Sequence, residues 1–499
     1  MKRREFLRSG MATAVATAIP LQPLFAAGLP FLNSVAGSVA ATTGMGKDTI
    51  LSQAQVDELG ASLRGRLLLA DDSGYDHARA VWNAMIDKRP ALIAQCEGAT
   101  DVVNAINFAR DNSLRLAVRG GGHSISGKSV CEGGLMIDMS KMNTVRVDRN
   151  AMTARADGGC LEGQIDREAS LLGMATTGGI VSHTGAAGLT LGGGYGRLCR
   201  KFGMACDNLL GADIVTADGK FRHVSVEENP DLLWALKGGG GNFGVVTALE
   251  YQLHSQSREV IAGDIIFGWK DAKAVLEFYA EQGNDMPDEL NMNLAMLTTK
   301  DGERRIAIEA VWSGDPGRAE AVLAKIRSAG KPLSDTVQAV KYTQFQRRGD
   351  NSNRHGVRQY MKSSMVNDFS QELVNNLIEI YRPNPMAKFF FMQAGGAVAR
   401  VKPTDTAFPH RSAHCNMMRL NAWFDAETSD QKRQRIADVR TAWKHVERFT
   451  QGFYVNLNDD SELKTHANYG PNYARLVAAK NKYDPGNLLR LNANIQPTT

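Results

Sequence analysis

Three glycine-rich clusters are the segments of this sequence that most directly suggest ligand chemistry. They span Arg119–Gly127, Gly188–Gly196 and Lys237–Gly244. Successive glycines let the backbone approach a ligand closely and point several N–H groups into one concavity, which can hold an anion such as a pyrophosphate. Three such clusters suit a long ligand. Taken alone, any one of them is better explained as a tight turn between two short strands.

The histidines and cysteines give one candidate ligand-binding residue and no metal-site pattern. His123 directly follows the first glycine run, where an imidazole could hydrogen-bond the turn or act on the ligand. None of the six cysteines forms a C-x-x-C pair, and no histidine stands at zinc-ligand spacing from a cysteine pair. His410, His414 and Cys415 do cluster, but they fall at the start of a predicted strand and are interpreted as ordinary polar residues. We therefore predict that no metal is bound.

The first glycine cluster lies between two predicted strands, Arg115–Arg119 and Gly134–Met139. A dinucleotide fingerprint of the Rossmann kind needs its glycine turn between a strand and a helix, so this pattern does not fit one. Downstream, Asp218-Gly219 is a favoured turn pair between two strands and predicts a hairpin. A short helix at Pro230–Leu236 and a strand at Gly244–Leu253 are predicted to follow.

Beyond about residue 257, longer helix patterns alternate with strands, which predicts an α+β layer with helices on one face of a sheet. These elements are predicted at Ala272–Gln282, Pro316–Ala329 and Asp430–Thr450 for the helices, and at Arg305–Trp312 and Met417–Trp423 for two of the strands. Nearer the N-terminus, residues 54–70 carry a helical pattern, and Thr100-Asp101 is predicted to cap a second helix.

The composition is that of a globular protein, with 499 residues, 43% hydrophobic and 22% charged. These values exclude disorder, collagen and coiled coil, and the length predicts two or three domains. Of the formal charge of +5, the first eight residues contribute three units, because four basic residues there face one acidic residue. No basic run occurs elsewhere, so we expect no nucleic acid partner.

The first 40 residues have the pattern of an export signal. A basic start containing Arg3-Arg4 precedes the uncharged stretch Ser9–Ala27, which Pro20 and Pro23 interrupt, so it would span a membrane poorly. The segment resembles a twin-arginine signal, with small-residue cleavage sites ending at Ala27, Ala36 or Ala40. A chance basic start on a cytosolic protein and a single anchor helix are the alternatives. We expect twin-arginine export machinery to deliver the folded protein to the periplasm or the medium, without stable membrane insertion after signal removal.

Several long motifs, in order, resemble the FAD-linked oxidases of the vanillyl-alcohol oxidase/p-cresol methylhydroxylase type, in their berberine-bridge-enzyme-like branch. The resemblance covers roughly residues 50 to 499, and its main motifs are Leu116-Ala-Val-Arg-Gly-Gly-Gly-His123, Gly188-Leu-Thr-Leu-Gly-Gly-Gly-Tyr-Gly-Arg197, Trp234-Ala-Leu-Lys-Gly-Gly-Gly-Gly-Asn-Phe-Gly-Val-Val246, Tyr454-Val-Asn456 and Lys480 to Arg490. It implies an α+β fold with a two-subdomain FAD-binding domain of the p-cresol-methylhydroxylase type. That domain would comprise residues 46–257 and the C-terminal segment 454–499, and the inserted substrate domain, an antiparallel sheet covered by helices, residues 258–453.

The same resemblance implies how FAD is held. In the family, the histidine at the position of His123 is bonded to the 8α carbon of the flavin, so we predict a covalent histidyl bond. Many relatives add a bond from a cysteine at the position of Val181, which this chain cannot form. The implied cofactor-binding residues are His123, Arg119, Gly120, Gly121, Gly122, Ser124, Gly127, Thr184, Gly185, Gly188, Gly192, Gly193, Gly194, Asn242, Gly244, Val246, Asn456 and Asn494. Thr184 stands where the family controls oxygen access.

The chemistry implied by the family is hydride transfer from a CH–OH or CH–NH group of a small molecule to the flavin, with a base taking the adjacent proton. The predicted catalytic residues are Tyr454, Tyr195 and Arg419, the last because the strand Asn416–Asn421 offers no carboxylate. A buried tyrosine can instead be a wall residue whose hydroxyl finds a partner. We expect O2 to accept the electrons and give peroxide. A dehydrogenase with a quinone or protein acceptor, and a flavin carrier without turnover, are the alternatives.

Overall fold

The computed structural model describes residues 37–282, 285–424, 428–457 and 462–498. The predicted export signal, including Arg3-Arg4 and the cleavage sites at Ala27 and Ala36, lies outside these residues. Ala40 falls within β1 (Val39–Thr42), which pairs antiparallel with β2 (Asp48–Leu51), so cleavage after Ala40 would cut a paired strand. Within the described ranges, no helix has both the length and the apolar character needed to cross a bilayer.

A four-stranded sheet with three helices forms the first layer of the N-terminal half. Its elements are α1 (Gln53–Ser62), β3 (Arg66–Leu68), α2 (Tyr75–Arg79), β4 (Leu92–Gln95), α3 (Ala99–Asp111), β5 (Leu116–Arg119) and β6 (Leu135–Asp138). The strand order is β3–β4–β6–β5, with β4, β5 and β6 parallel. Parallel strands that are covered on both faces have continuous apolar sequences. Residues 92–94 and 135–137 form two such runs and are fully buried.

A five-stranded antiparallel sheet forms the second layer, in the order β11–β10–β12–β8–β7. The elements of this region are β7 (Val145–Asp148), β8 (Thr153–Asp157), α4 (Glu162–Leu171), β9 (Met174–Ala175), α5 (Ala186–Leu191), α6 (Cys199–Phe202), β10 (Leu209–Thr216), β11 (Phe221–Val224), α7 (Pro230–Leu236), β12 (Gly244–Gln252) and β13 (His254–Ser255). Helix α3 contacts β6 on one side and β10 and β12 on the other. It therefore packs between the two sheets. The first glycine cluster begins at the end of β5, the second begins within α5, and the third ends at the start of β12.

A large antiparallel sheet follows, with the strand order β17–β14–β16–β15–β20–β21–β19 and with β18 also pairing with β14. Its strands are β14 (Glu259–Gly268), β15 (Leu290–Thr298), β16 (Arg304–Trp312), β17 (Pro332–Asp335), β18 (Gln338–Lys341), β19 (Arg358–Val366), β20 (Ala387–Gln393) and β21 (Cys415–Trp423). Residues of α8 (Ala272–Gln282), α9 (Ala319–Arg327), α11 (Gln371–Ile380) and α13 (Ser429–Val446) pack with one face of this sheet into a single apolar cluster. The predicted α+β fold, with helices over an antiparallel sheet, is confirmed.

The local predictions hold where turn chemistry is strong. The hairpin β10–β11 turns at Asp218-Gly219, where Gly219 has a φ of +76°, and α7 has the predicted bounds. The predicted helix Pro316–Ala329 begins instead with a 3-10 turn, Pro316–Arg318, before α9. Two further helices in this region, α10 (Tyr342–Arg347) and α12 (Ala397–Arg400), are short.

Two predictions near the N-terminus are corrected. The helical pattern of residues 54–70 ends at Ser62. Gly65, which precedes β3, lies against the end of β4, where a Cβ atom would stand 1.8 Å from the carbonyl oxygen of Gln95. Asp101 does not begin its helix. Its carboxylate instead accepts hydrogen bonds from the backbone N–H groups of Arg64, Gly65 and Glu97, so it fixes the connection between α1 and β3.

The C-terminal segment returns to the N-terminal layers through α14 (Glu462–Tyr469) and α15 (Tyr473–Tyr483). Lys480 on α15 is fully buried and forms an ion pair of 2.7 Å with the buried Asp484. The Lys480 ammonium also donates to the carbonyl oxygens of Asn242, at 2.9 Å, and Leu489, at 3.2 Å. The pair thereby fastens the third glycine cluster to the C-terminal segment.

Lys480→Met is expected to destabilise the folded protein by about 3–5 kcal/mol, because it leaves the Asp484 carboxylate buried without its cation. A lower urea midpoint, followed by tryptophan fluorescence, measures this loss. Lys482→Met is the matched control, since Lys482 pairs with Asp231 at 2.9 Å on an exposed surface and should change the midpoint little. Equal losses in the two variants would contradict the assigned role of the buried pair.

Candidate cofactor cavity and active site

A cavity of about 920 Å³ lies between the N-terminal layers and the face of the large sheet opposite its helices. Residues within 120–129, 179–191 and 240–246 form one wall, and side chains of β14, β15, β16, β20 and β21 form the other. Segments 454–457 and 489–493 complete the enclosure. The volume is within the range of small-molecule and cofactor sites.

The first glycine cluster packs closely at the cavity wall against the backbone of Gly185 and Gly158, which lie outside the second cluster. A Cβ atom on Gly121 would lie 2.4 Å from the Cα atom of Gly185, and one on Gly120 would lie 3.1 Å from the carbonyl oxygen of Gly158. Gly122 has a φ of +66°, which disfavours other residues. A Cβ atom on Gly188 would meet no atom within 4 Å. The backbone is thus exposed to the cavity at Gly188.

The predicted cofactor-binding residues separate into two groups. Those that line the cavity are Gly120, Gly121, Gly122, His123, Ser124, Thr184, Gly185, Gly188, Gly244, Val246 and Asn456. The remaining residues lie behind this wall and position it, and they are Arg119, Gly127, Gly192, Gly193, Gly194, Asn242 and Asn494.

Gly192, Gly193 and Gly194 pack against protein, so their prediction as direct contacts is corrected. A Cβ atom would lie 2.0 Å from Asn456 Oδ1 at Gly192, and at Gly194 2.4 Å from the Cβ atom of Ala205. At Gly193 it would lie 2.7 Å from the end of the Met204 side chain. This glycine run is required because other residues approach its backbone closely.

Arg119, Gly127 and Asn242 also support the wall from behind. The Arg119 guanidinium pairs with Asp138 at 3.0 Å, and Gly127 turns with a φ of +68°. The Asn242 amide donates to the carbonyl oxygens of Gly239 and Ala493 and accepts from the N–H group of Ile495. Their prediction as cofactor contacts is corrected to a positioning role, because none of the three lines the cavity. Asn494 differs, since its Oδ1 atom is buried without a hydrogen-bond partner among the described residues.

His123 lies between two aromatic rings at the cavity wall. Its imidazole stacks on Trp82, with 4.4 Å between ring centroids and 17° between planes, and the ring of His183 lies 5.1 Å away on a tilt. Within the described part of the chain, its Nε2 atom is buried without a hydrogen-bond partner. Burial lowers the pKa of His123 to about 3, and the neighbouring His183 and His355 contribute in the same direction. The ring is therefore neutral at physiological pH and retains a nitrogen lone pair.

Tyr454 and Tyr195 meet edge to face, with 5.4 Å between ring centroids, and both line the cavity. The Tyr454 hydroxyl oxygen accepts from the N–H groups of Gly194 at 3.0 Å and Tyr195 at 3.3 Å, and from Asn456 Nδ2 at 2.9 Å. Burial raises the pKa of Tyr454 to about 12, although these three donors oppose the rise. Three donors exceed the two lone pairs of a neutral hydroxyl and match those of a phenolate. The three donors therefore offset part of the effect of burial, which by itself disfavours negative charge at this oxygen.

Tyr195 lacks such support. Its hydroxyl group is buried with no hydrogen-bond partner in the described ranges, and burial raises its pKa well above the ordinary value. Its backbone N–H group, not its hydroxyl, contacts Tyr454. The structure thus brings the two predicted tyrosines together but gives only Tyr454 the surroundings of a proton acceptor.

The structure places Arg419, predicted as a catalytic residue, away from the cavity. On β21 the residues that line the cavity are Met418, Leu420 and Ala422, so the alternation of a strand places Arg419 on the opposite face. There its guanidinium lies over the ring of Phe389, at 5.0 Å from the centroid. Arg419 can therefore neither hold a phenolate in the cavity nor contact a substrate there.

A paired charge network, which the sequence did not reveal, occupies one edge of the cavity. Glu309 on β16 accepts from Arg197 at 3.0 Å through both carboxylate oxygens and also pairs with Arg348, which contacts Asp264 at 2.8 Å. Burial alone would raise the pKa of Glu309, but Arg197 and Arg348 lower it to about 2. The network is charge-balanced. Arg197 and Glu309 are 112 residues apart in the chain, so no local sequence pattern could have indicated that they pair.

The cysteines and the remaining clustered histidines are engaged elsewhere. All six cysteines are buried and free of disulfides, and Val181 lines the cavity where a second cysteinyl bond would be formed in the family. His410 bonds to Asn468 at 2.8 Å, and His414 bonds to the carbonyl oxygen of Tyr279 at 3.2 Å. Across the described residues, no group of three or more histidine, cysteine or acidic side chains could hold a metal ion.

Two segments of the chain match known families. Residues 90–225 match a family described as "FAD binding domain", and residues 453–496 match one described as "Berberine and berberine like". Together they contain most of the cavity wall formed by the glycine clusters and by Tyr454 and Asn456.

Three similar proteins were found along nearly the whole described chain. An FAD-linked oxidoreductase of Dictyostelium discoideum is 30% identical over 449 residues, covering 89% of this chain and 97% of the relative. The (R)-6-hydroxynicotine oxidase of Paenarthrobacter nicotinovorans is 31% identical over 462 residues, covering 87% and 97%. The solved glucooligosaccharide oxidase of Acremonium strictum, with a 6-S-cysteinyl, 8α-N1-histidyl FAD, has a TM-score of 0.81 at 24% identity, covering 89% and 100%, and it shows the same fold.

Proposed function

The chain belongs to the berberine-bridge-enzyme-like FAD-linked oxidoreductases, and from this premise we propose that it is an exported oxidase whose FAD is bonded to His123 alone. Membership makes it an FAD-dependent oxidoreductase. We further propose that it takes a hydride from a CH–OH or CH–NH group of a small organic molecule and passes the electrons to O2, giving peroxide. The observation that carries this proposal is that a neutral imidazole and a charge-stabilising phenol line the same glycine-walled cavity.

The residues present fit FAD. The cavity wall presents backbone in place of side chains at Gly120–Gly122, Gly185 and Gly188, which is what an extended anionic ligand needs. The buried Nε2 atom of His123, which lines the cavity, lacks a partner among the described residues, and the cofactor would supply one. FAD, when bound, supplies the hydride-accepting ring of the reaction.

A single histidyl bond is supported by the surroundings of His123. Its imidazole is neutral and unpartnered at Nε2, and the Trp82 ring fixes its plane, so it can act as a nucleophile without first losing a proton from a cationic form. Val181 excludes a thioether at the position where many family members carry a cysteine. The bond raises the tendency of the flavin to accept a hydride, which favours unactivated alcohols and amines.

We assign the substrate proton to the hydroxyl oxygen of Tyr454. A phenol becomes a useful base only where its anion is stabilised, and the donors from Gly194, Tyr195 and Asn456 provide part of that stabilisation against the effect of burial. Thr184 lines the cavity and is the residue that we propose controls oxygen access. We also propose the division into a flavin domain, residues 46–257 with 454–499, and a substrate domain, residues 258–453.

The export assignment rests on the sequence of residues 1–40, and the oxidase assignment is supported by the relative named as (R)-6-hydroxynicotine oxidase. The alternative of a carrier without turnover predicts a substrate cavity filled by side chains, whereas the large sheet faces an open cavity. The remaining alternative is a dehydrogenase that passes electrons to a quinone or a protein.

Mixing reduced enzyme with air distinguishes the oxidase from the dehydrogenase. We expect anaerobically reduced protein to regain its flavin absorbance within seconds of contact with air and to release hydrogen peroxide in equal amount. Recovery over minutes, together with rapid recovery on addition of a quinone, would identify the dehydrogenase. A protein purified without flavin after expression with ample riboflavin would contradict the proposed function itself.

A further inference from the structure

The cavity face of the large sheet carries one apolar row that crosses five adjacent strands. This row consists of side chains that pair strand by strand, namely Ile266, Ala307, Ala295, Phe390 and Met418. In the next row Leu420 pairs with Lys388 on one side and with Met361 on the other. Lys388 is therefore a cation surrounded by aliphatic, aromatic and thioether side chains.

Lys388 is also unpaired, unlike the other charges of this wall. Arg197, Glu309, Arg348 and Asp264 neutralise one another at the sheet edge. Among the described residues, the Lys388 ammonium forms no hydrogen bond or ion pair, and the contact it does make is with the ring of Phe390, at 5.4 Å from the centroid. The Lys388 side chain is exposed to the cavity, where desolvation by the surrounding walls lowers its pKa and Glu309 partly opposes this effect.

These surroundings restrict what can bind here. A ligand that covers Lys388 removes its ammonium from water, which is strongly unfavourable unless the ligand supplies an acceptor for it. A saccharide lying on the apolar row would also place hydroxyl groups against side chains that cannot hydrogen-bond them. An unperturbed phenol is neutral at pH 7, whereas a carboxylate is charged and therefore neutralises the cation.

We propose that the substrate is a largely apolar alcohol or amine, of the size of a substituted aromatic ring, whose single carboxylate binds the Lys388 ammonium. This inference rests on the proposed function, since it assigns the substrate class of the same cavity. Lys388 thereby acts as the residue that selects and orients the substrate, and the apolar row packs against its ring.

Equilibrium binding to the flavin-loaded protein tests the proposal without turnover. The probes are trans-cinnamate and trans-cinnamamide, which share shape and apolar area and differ in charge, and cellobiose as a saccharide. Titrations followed by calorimetry and by the flavin absorbance should give a Kd for cinnamate at least about tenfold below that for cinnamamide, as expected for a charge-assisted hydrogen bond. Cellobiose should not bind at millimolar concentration.

Lys388→Met should abolish the preference for cinnamate while leaving cinnamamide binding unchanged within about twofold, because Met retains the apolar volume. Lys362→Met is the control, since Lys362 lies on the opposite face of the sheet in a second cavity with Trp443, and this variant should keep the preference. Equal affinities in the wild type, a preference that persists in Lys388→Met, tighter binding of cellobiose, or no binding of either aromatic probe would each overturn the proposal. Slow reoxidation in air would instead count against the oxidase assignment and leave these titrations unaffected.

Discussion

His123→Ala is expected to abolish covalent flavin attachment while the protein still binds FAD. In the wild type, flavin fluorescence should stay with the polypeptide on a denaturing gel, and in the variant it should leave with the solvent front. Non-covalent binding should persist because the glycine clusters that line the cavity are unchanged. The rate of flavin reduction by substrate should fall about tenfold, equivalent to about 1.4 kcal/mol of barrier, since the bond makes the flavin a stronger oxidant.

His223→Ala is the matched control for this experiment. His223 is partly exposed and bonds to Asp213 at 2.9 Å on the second sheet, so its removal should leave all flavin covalent. Retention of covalent flavin in His123→Ala would mean that another residue forms the bond. A variant that binds no FAD at all would mean that the bond itself drives cofactor binding, contrary to the role given to the glycine clusters.

Tyr454→Phe is expected to lower kcat by about 10²–10³-fold with little change in flavin content, because it removes the proposed proton acceptor and keeps the ring. Since burial raises the pKa of Tyr454 to about 12, the hydroxyl is protonated at neutral pH. The wild-type rate should therefore increase with pH through the alkaline range, and this increase should disappear in Tyr454→Phe. Rapid-reaction measurements of flavin reduction between neutral and alkaline pH would record both effects.

Tyr195→Phe provides the comparison, because its hydroxyl group is unpartnered among the described residues and should contribute much less, no more than about tenfold. Tyr454→Phe also leaves three donors without their acceptor, so a melting temperature must accompany the kinetics; about 1–3 kcal/mol of destabilisation is expected. If folded Tyr454→Phe retained a third of the wild-type rate and the same pH profile, the proton would have to be taken elsewhere.

Much of the fold was predictable from strong local signals. The hairpin at Asp218-Gly219 and the bounds of α7 follow from turn and helix chemistry that acts within a few residues. The order of the glycine clusters and of the Tyr454-Val-Asn456 motif also identified the family, which the relatives and the two matched segments confirm.

The direction of side chains on the large sheet was not predictable. In β21 both faces are buried, and apolar or amide side chains precede and follow Arg419. No alternation of polar and apolar residues therefore indicated that Met418, and not Arg419, faces the cavity. Lys388 was missed for the same reason, since β20 carries phenylalanines on both faces. The stack of Trp82 on His123 and the pairing of Arg197 with Glu309 join residues far apart in the chain, which only the fold brings together.

The glycine run Gly192–Gly194 shows that a glycine motif does not identify what approaches its backbone. Its residue types suit a ligand cradle and a packed turn equally well, and the structure assigns packing because Asn456 and Ala205 occupy the space where side chains would be. A glycine motif thus predicts close approach of something to the backbone, but the sequence does not tell whether that is a cofactor or the protein itself.

The covalent bond at His123 is the central claim, and the mass of one peptide tests it most directly. Trypsin should release Gly120–Lys128 from the wild-type protein, because it cleaves after Arg119 and after Lys128. The account predicts that this peptide carries the mass of one FAD less two hydrogen atoms, with fragment ions placing the addition on His123. An unmodified Gly120–Lys128 peptide from flavin-containing protein, or a flavin mass on a cysteine-containing peptide, would contradict it.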